Sequence, residues 1–182
     1  LGVGLSSASA RERFRIEAQA MANLHHPGIL PVYACGEQDG VPFFTMQLAS
    51  GGTLAERRSQ YRDAWREIAS LVASLADAVH YAHEHGVLHR DIKPGNVLFD
   101  AEGRGFISDF GLAKFTEGDS EITQRSAMIG TPRYLAPEMV SQDSAGPTTA
   151  GDVWGLGCLL YELCAQRPPF EAEHTHALLR QI

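Results

Sequence analysis

The chain has 182 residues, with 15 basic against 22 acidic side chains, a net charge of −7, 44% hydrophobic residues and 20% charged ones. That length allows one ordinary domain burying roughly 70% of the surface its unfolded form exposes, and the composition is that of a soluble globular protein lacking the basic stripe of a nucleic-acid binder. Three cysteines without CxxC spacing, Cys35, Cys158 and Cys164, indicate neither a zinc site nor a disulfide framework and point to a reducing, cytoplasmic compartment; no run approaches the ~20 apolar residues of a membrane span, and residues 1–30 lack a secretory signal.

From the start, ARERFRIEAQAMANL over 10–24 carries Phe14, Ala18, Met21 and Ala22 at spacings of three and four, which predicts an amphipathic helix stopped by His26, Pro27 and Gly28. ILPVYACGEQ and VPFFTMQL read as two strands around a turn at 38–40, and Gly51 and Gly52 as a hinge before a new helical stretch. Over 65–85 a stripe of Ile68, Leu71, Val72, Leu75, Val79 and Ala82 predicts a long helix, with Gly86 placed for a left-handed C-terminal cap. VLH, NVLF and GFIS are strand-like runs, the last two separated by the turn-rich DAEGRG, and the polar stretch 116–126 has the composition of a surface loop. DVWGLGCLLYELC over 152–164 is apolar almost all round, predicting a helix buried on most sides, and a last helix is expected from about 172 to the end.

The chemistry gathers in HRDIKPGN. Asp91 is followed by Lys93 and Asn96, then by Asp109 opening DFG, then by GTPRYLAPE at 130–138 and DVWGLG at 152–157. Singly, each has a plain reading: Asp91 as a solvated loop carboxylate, Asn96 and Asp109 as turn formers, Lys93 as a surface charge. Ordered motifs at consistent separations are not an accident of composition, and together they resemble the catalytic domain of eukaryotic-like Ser/Thr protein kinases of the bacterial type.

The resemblance implies an α+β, bilobal fold: a partial N-lobe of one helix, a β-hairpin and hinge over 1–49, and a mostly helical C-lobe over 50–182, with a catalytic loop at 87–99 and an activation segment at 109–138. It implies transfer of the ATP γ-phosphoryl group to protein Ser or Thr hydroxyls. By the same resemblance Asp91 orients or accepts the hydroxyl proton, Lys93 places a point charge on the transferring phosphate, and Asn96 and Asp109 hold Mg²⁺, or Mn²⁺ in its place. Thr131 joins Asp91 and Lys93 on the substrate side, Glu17 is the helix glutamate that pairs with a phosphate-binding lysine, and Met46, Gln47 and Leu48 border the adenine. Arg90 is set to grip a phosphate on the activation segment, Thr123 or Ser126 being its carrier, and self-association for phosphorylation in trans is a further implied partner. Met21, Val32, His89 and Phe110 resemble the family's internal hydrophobic column.

The pattern departs from the family at both ends, and at the far one the expectation is a C-lobe cut near helix αG, without the helices that normally follow it. LGVGLSS lacks the third glycine of a phosphate-covering loop, no VAIK-like segment precedes Glu17, and Lys93 and Lys114 are the only lysines; residues 1–9 read as a lead into the first helix. The expectation is a piece of a longer kinase gene, with little activity by itself. A pseudokinase or docking module, and behind it a small-molecule phosphotransferase of related fold, are the competing readings.

Overall fold

The computed structural model describes residues 8–39, 41–110, 132–140 and 146–182. Within these the elements in chain order are α1 (Ala8–Ala22), β1 (Val32–Gln38), β2 (Val41–Met46), α2 (Leu54–Arg57), α3 (Trp65–Glu84), β3 (Val97–Phe99), β4 (Gly105–Ile107), α4 (Pro137–Val140), α5 (Thr149–Ala165) and α6 (Thr175–Leu179), with short 3₁₀ turns at Arg58–Tyr61, Pro94–Asn96 and Pro132–Tyr134.

The helical period of 65–85 produces α3, whose Ile68, Leu75, Ala78, Val79 and Ala82 are buried. Gly86 takes φ 73°, a left-handed conformation that costs glycine nothing. Its N–H reaches His83 O at 3.0 Å while Val87 N–H reaches Ala82 O at 2.9 Å, the paired bonds of a Schellman cap. The capped end delivers the chain straight into residues 87–89. These form no strand, contrary to the reading of VLH, because Val87 N–H is committed to the cap and His89 N–H to the side chain of Asp152.

Four short extended segments lie side by side. β3 and β4 pair antiparallel in the register Val97↔Ile107 and Phe99↔Gly105. On the β4 side, Ile107 N–H donates to Gly28 O (2.8 Å) and accepts at its carbonyl from Leu30 N–H (3.0 Å); on the β3 side, Gly51 N–H donates to Phe99 O (2.7 Å) and Phe99 N–H to Gly52 O (2.9 Å). β1 and β2 form a separate antiparallel hairpin, Cys35 opposite Phe44, with a bulge between Val32 and Ala34, and Gln47 N–H ties its exit to Pro31 O at 2.9 Å. One apolar cluster runs through all of this, from Ala18 and Met21 of α1 through Leu75 and Val79 of α3 to Leu159 and Leu163 of α5.

Two helices differ from expectation. α5 is buried along Gly155, Leu156, Cys158, Leu159 and Leu163 where it meets α3, yet Val153 is 62% exposed and Leu160 and Tyr161 are 40% exposed, so it is covered on fewer sides than its apolar sequence suggests. α6 spans only Thr175–Leu179: His174 provides no side-chain cap, and a reciprocal clamp between the Gln181 amide and the backbone of Glu171 fixes the flanking residues in a loop. Among the described residues no helix is long and apolar enough to cross a membrane.

Gly51 is a position where close approach forbids a side chain. A Cβ there would lie 2.3 Å from Asp100 O and 2.8 Å from Phe99 O, and the Arg57 guanidinium closes the remaining side, bonded to Gly51 O at 2.6 Å and stacked 4.6 Å from the Phe99 ring centroid. Gly51→Ala is therefore expected to destabilise the protein by about 1–3 kcal/mol, seen as a lower midpoint in a urea titration.

Candidate functional site

The site begins with a buried carboxylate. Asp152, 2% exposed in the first turn of α5, accepts at Oδ2 from His89 N–H (2.8 Å) and at Oδ1 from Arg90 N–H (2.7 Å). Those bonds set the path of HRD. Arg90 adopts φ 69°, a left-handed conformation that costs a bulky side chain on the order of 1–3 kcal/mol and persists only where surroundings over-determine it. Ile92 is clamped from the same helix, since a Cβ on Gly155 would come within 2.9 Å of its Cβ.

His89 is fully buried. Asp91 N–H donates to its Nδ1 at 3.2 Å, which leaves Nε2–H to donate to Ser108 O at 2.9 Å, and its ring lies tilted against that of Phe110, the centroids 4.6 Å apart. Burial holds its pKa below the ordinary value, outweighing the nearby carboxylates of Asp152, Asp91 and Asp109. The imidazole is neutral and structural. Met21, His89 and Phe110 are buried and Val32 is packed against the same core.

Asp91 presents its carboxylate at the surface of this frame. Its Oδ2 accepts from Lys93 Nζ at 2.6 Å and from Asn96 Nδ2 at 3.1 Å, while the same Nδ2 donates to Asp91 O at 2.8 Å. The Asp91 and Lys93 side chains remain 34% and 26% exposed, so an incoming hydroxyl can reach them. Asn96 stands one residue before β3 and Asp109 two residues after β4, and the register of that hairpin brings the two together: Ser108 N–H and Oγ–H both reach Asn96 O (2.9 and 3.1 Å), and Ser108 Oγ lies 3.3 Å from Asp109 Oδ2. Asp109 has φ 60°, a region that aspartate tolerates better than most side chains.

With Nδ2 committed to Asp91, the Asn96 amide oxygen remains as an acceptor. One neutral oxygen and one carboxylate suit Mg²⁺, which is bound through one or two carboxylates plus phosphate oxygens and water rather than by an all-protein cage. Among the described residues no cluster of three His, Cys, Asp or Glu side chains offers such a cage.

The other expected residues are placed as follows. Met46 ends β2 and packs against the core, Gln47 follows it partly buried, and Leu48 is 85% exposed. Glu17 lies on α1, its side chain outside the described residues, and Thr123, Ser126 and Thr131 also fall outside them.

Two contributors were not singled out by the sequence reading. Ser108 links Asn96 to Asp109; its position just before DFG was the available signal. Glu162, 5% exposed on α5, accepts from Arg58 Nη1 at 2.9 Å and from the Tyr134 hydroxyl. It thereby pins the Pro132–Tyr134 turn, and burial followed by the bond to Glu162 raises the pKa of Tyr134. A single carboxylate inside LLYELC was its signal. Beside Asp91 a water-sized recess of about 30 Å³ is bordered by Ile92, Tyr134, Ala136, Met139 and Gly155.

The model of the protein kinase domain family matches residues 4–182. The chain is 38% identical over 178 residues to the DNA damage-responsive serine/threonine-protein kinase RqkA of Deinococcus radiodurans, covering 95% of this chain and 26% of that protein. It is 37% identical over 165 residues to the serine/threonine-protein kinase PknB of Mycobacterium leprae, covering 87% and 26%. The chain thus spans about a quarter of the length of the curated relatives it matches.

The neutral, buried His89 makes stability depend on pH. Its folded pKa lies below the unfolded value near 6.5, so below that pH the unfolded chain binds a proton that the folded chain refuses. This contribution is complete above pH 6.5 and is lost as pH falls beneath it. Urea titrations at about pH 7 and pH 5 should show a lower midpoint at acid pH, and a smaller drop over that interval in His89→Leu, although that variant starts less stable.

Proposed function

This chain belongs to the protein kinase domain family, and from that premise we propose that the protein carrying it transfers the γ-phosphoryl group of ATP to Ser or Thr hydroxyls of other proteins. The observation that carries the reading is the constellation at the loop: a solvent-reachable Asp91 carboxylate oriented by Lys93 and Asn96, with Asp109 joined to Asn96 through Ser108. Phosphoryl transfer needs little covalent work from a protein, so positioned charge is the main contribution to expect.

In the proposed reaction a substrate hydroxyl hydrogen-bonds to Asp91. Its oxygen bonds to the γ-phosphorus while the bond from that phosphorus to the β–γ bridging oxygen breaks, ADP leaves, and the hydroxyl proton passes to the Asp91 carboxylate. Lys93, already within 2.6 Å of Asp91, shares its ammonium between that carboxylate and the transferring phosphate. Asn96 and Asp109 would hold the divalent cation, Mg²⁺ or in its place Mn²⁺, which neutralises charge on the phosphate oxygens.

Gln47 N–H is spent on Pro31 O, so adenine recognition falls to its carbonyl and to the backbone after it, against Met46 and Leu48. Glu17 is assigned to the lysine-pairing role and Thr131 to the substrate side. Residues 1–49 make the smaller lobe and 50–182 the larger, with catalytic loop 87–99 and activation segment 109–138. Arg90 is assigned to a phosphate on Thr123 or Ser126, delivered in trans by a second copy. A cytoplasmic site of action is part of the same reading, resting on the unpatterned cysteines.

Phosphotransfer by the full-length protein with Mg-ATP and a Ser/Thr substrate tests this. Asp91→Asn should lower the rate by about 10²- to 10⁴-fold with the fold intact; equal rates in the two proteins would sink the reading. Thr123→Ala should remove one autophosphorylated peptide and reduce activity, and an unchanged phosphopeptide map would reassign the regulatory residue.

A further inference from the structure

The hinge that follows the adenine residues is joined to the hairpin between Asn96 and Asp109 on two sides, one stiff and one pliant. On the stiff side Gln47 N–H donates to Pro31 O, Leu30 N–H donates to Ile107 O, and Ile107 N–H donates to Gly28 O; Ile29, Leu30 and Ile107 are all buried. On the other side the backbone partners of Phe99 are Gly51 and Gly52, which bring no side chains to pack and carry the largest conformational freedom of any residue. Arg57 stands over that second join. Its Nε–H donates to Gly51 O at 2.6 Å, and its guanidinium carbon lies 4.6 Å from the centroid of the Phe99 ring, whose residue is only 1% exposed.

We propose that Arg57 is a positioning residue for ATP, setting the distance between the backbone that receives adenine and the side chains of Asn96 and Asp109 that receive the metal and phosphates; the proposal rests on the kinase reading above. Gly51 comes four positions after Gln47, and Phe99 three positions after Asn96. The bonds between Gly51, Gly52 and Phe99 are therefore a short path from one end of the bound nucleotide to the other. A guanidinium can hydrogen-bond in its plane while presenting its face to a ring. Arg57 does both at once, holding the hinge by the bond and β3 by the face.

Without Arg57, Gly51 O is left to water, the face of Phe99 loses its cover, and the two glycines are free to shift. Ile107 stays pinned to Leu30 and Gly28, so the hairpin rocks about its β4 edge and the swing is largest at β3, on the side of Asn96. The capping box of Thr53 and Glu56 still starts α2 without help from Arg57, which confines the loss to the join. A ligand that touches only one end does not register the changed spacing. A nucleotide that spans both ends does, because its adenine and its phosphates can no longer be satisfied together.

Three variants of the full-length protein, each with a helix propensity close to that of arginine, test this. Arg57→Gln sets an amide N–H at the position of Nε and keeps a planar group. Arg57→Met covers the ring without a donor, and Arg57→Lys keeps the charge but places it one atom farther out. Expected is a Kd for Mg-ATP raised about 5- to 30-fold in Met and Lys and close to wild type in Gln. The Kd for adenosine, which reaches only the hinge, should be unchanged in all three. Amide hydrogen exchange should quicken at Gly51 and Phe99 in Met and Lys, recover in Gln, and stay as in wild type at Leu30 and Ile107. An unchanged Kd for Mg-ATP in Met and Lys would overturn the proposal. So would adenosine weakened by the same factor as Mg-ATP, which makes Arg57 a support of the hinge alone, or accelerated exchange throughout the protein without recovery in Gln. Wild-type protein that binds no Mg-ATP would overturn the kinase reading and this proposal with it, an outcome visible before any variant is made.

Discussion

The path of the loop around residues 89–92 depends on one carboxylate of α5, that of Asp152. Backbone N–H groups of a loop must be satisfied when buried, and two consecutive ones, at His89 and Arg90, find both oxygens of a single side chain. That arrangement explains why a residue as bulky as Arg90 keeps a left-handed backbone and why Ile92 can lie against a helix that has glycine at the contact. It also accounts for a charged residue in the first turn of a largely apolar helix. Asp152 is a buried charge whose desolvation is offset by donors that would themselves be orphaned without it.

Around that point the site is assembled by two kinds of constraint. Hydrogen-bond geometry sets directions: Asp91 receives Lys93 and Asn96, and Ser108 spans Asn96 and Asp109. Burial sets protonation: His89 is neutral because it has no solvent, and as a neutral ring it can accept from Asp91 N–H while donating to Ser108 O. A charged imidazole would donate at both nitrogens and break the first of those bonds. The apolar contact of His89 with Phe110 then couples the loop carrying Asp91 to the segment carrying Asp109.

Much of this was legible before any coordinates. The α3 stripe and its Gly86 cap follow from local rules of period and turn chemistry, and the grouping of Asp91, Lys93, Asn96 and Asp109 follows from the family resemblance that the motifs carry. What was not legible is the partner of each buried carboxylate. Asp152 reaches backbone N–H groups more than sixty residues away and Glu162 reaches Arg58 from farther still; a backbone donor has no side-chain signature, so nothing in residues 87–90 announces the bond. The same omission produced the strand assigned to VLH, since period alone does not reveal that its N–H groups are already taken. The shortened α6 fails for a related reason: a side-chain amide at Gln181 binds the backbone of Glu171 and competes with helix formation.

The β3–β4 hairpin has a bearing on how such a site can vary over evolutionary time. Asn96 and Asp109 are thirteen positions apart, yet their spacing is set by the rungs between Val97 and Ile107 and by Ser108, not by the contour of the connecting chain. Insertions at the tip, around the exposed Ala101 to Gly103, would lengthen the loop while leaving Asn96 and Asp109 in register. A single residue added or lost within either strand would turn the following side chains to the opposite face and separate Asn96 from Asp109. The hairpin acts as a ruler with a free end: length is open to drift at the tip, whereas at the base even one step destroys the measurement.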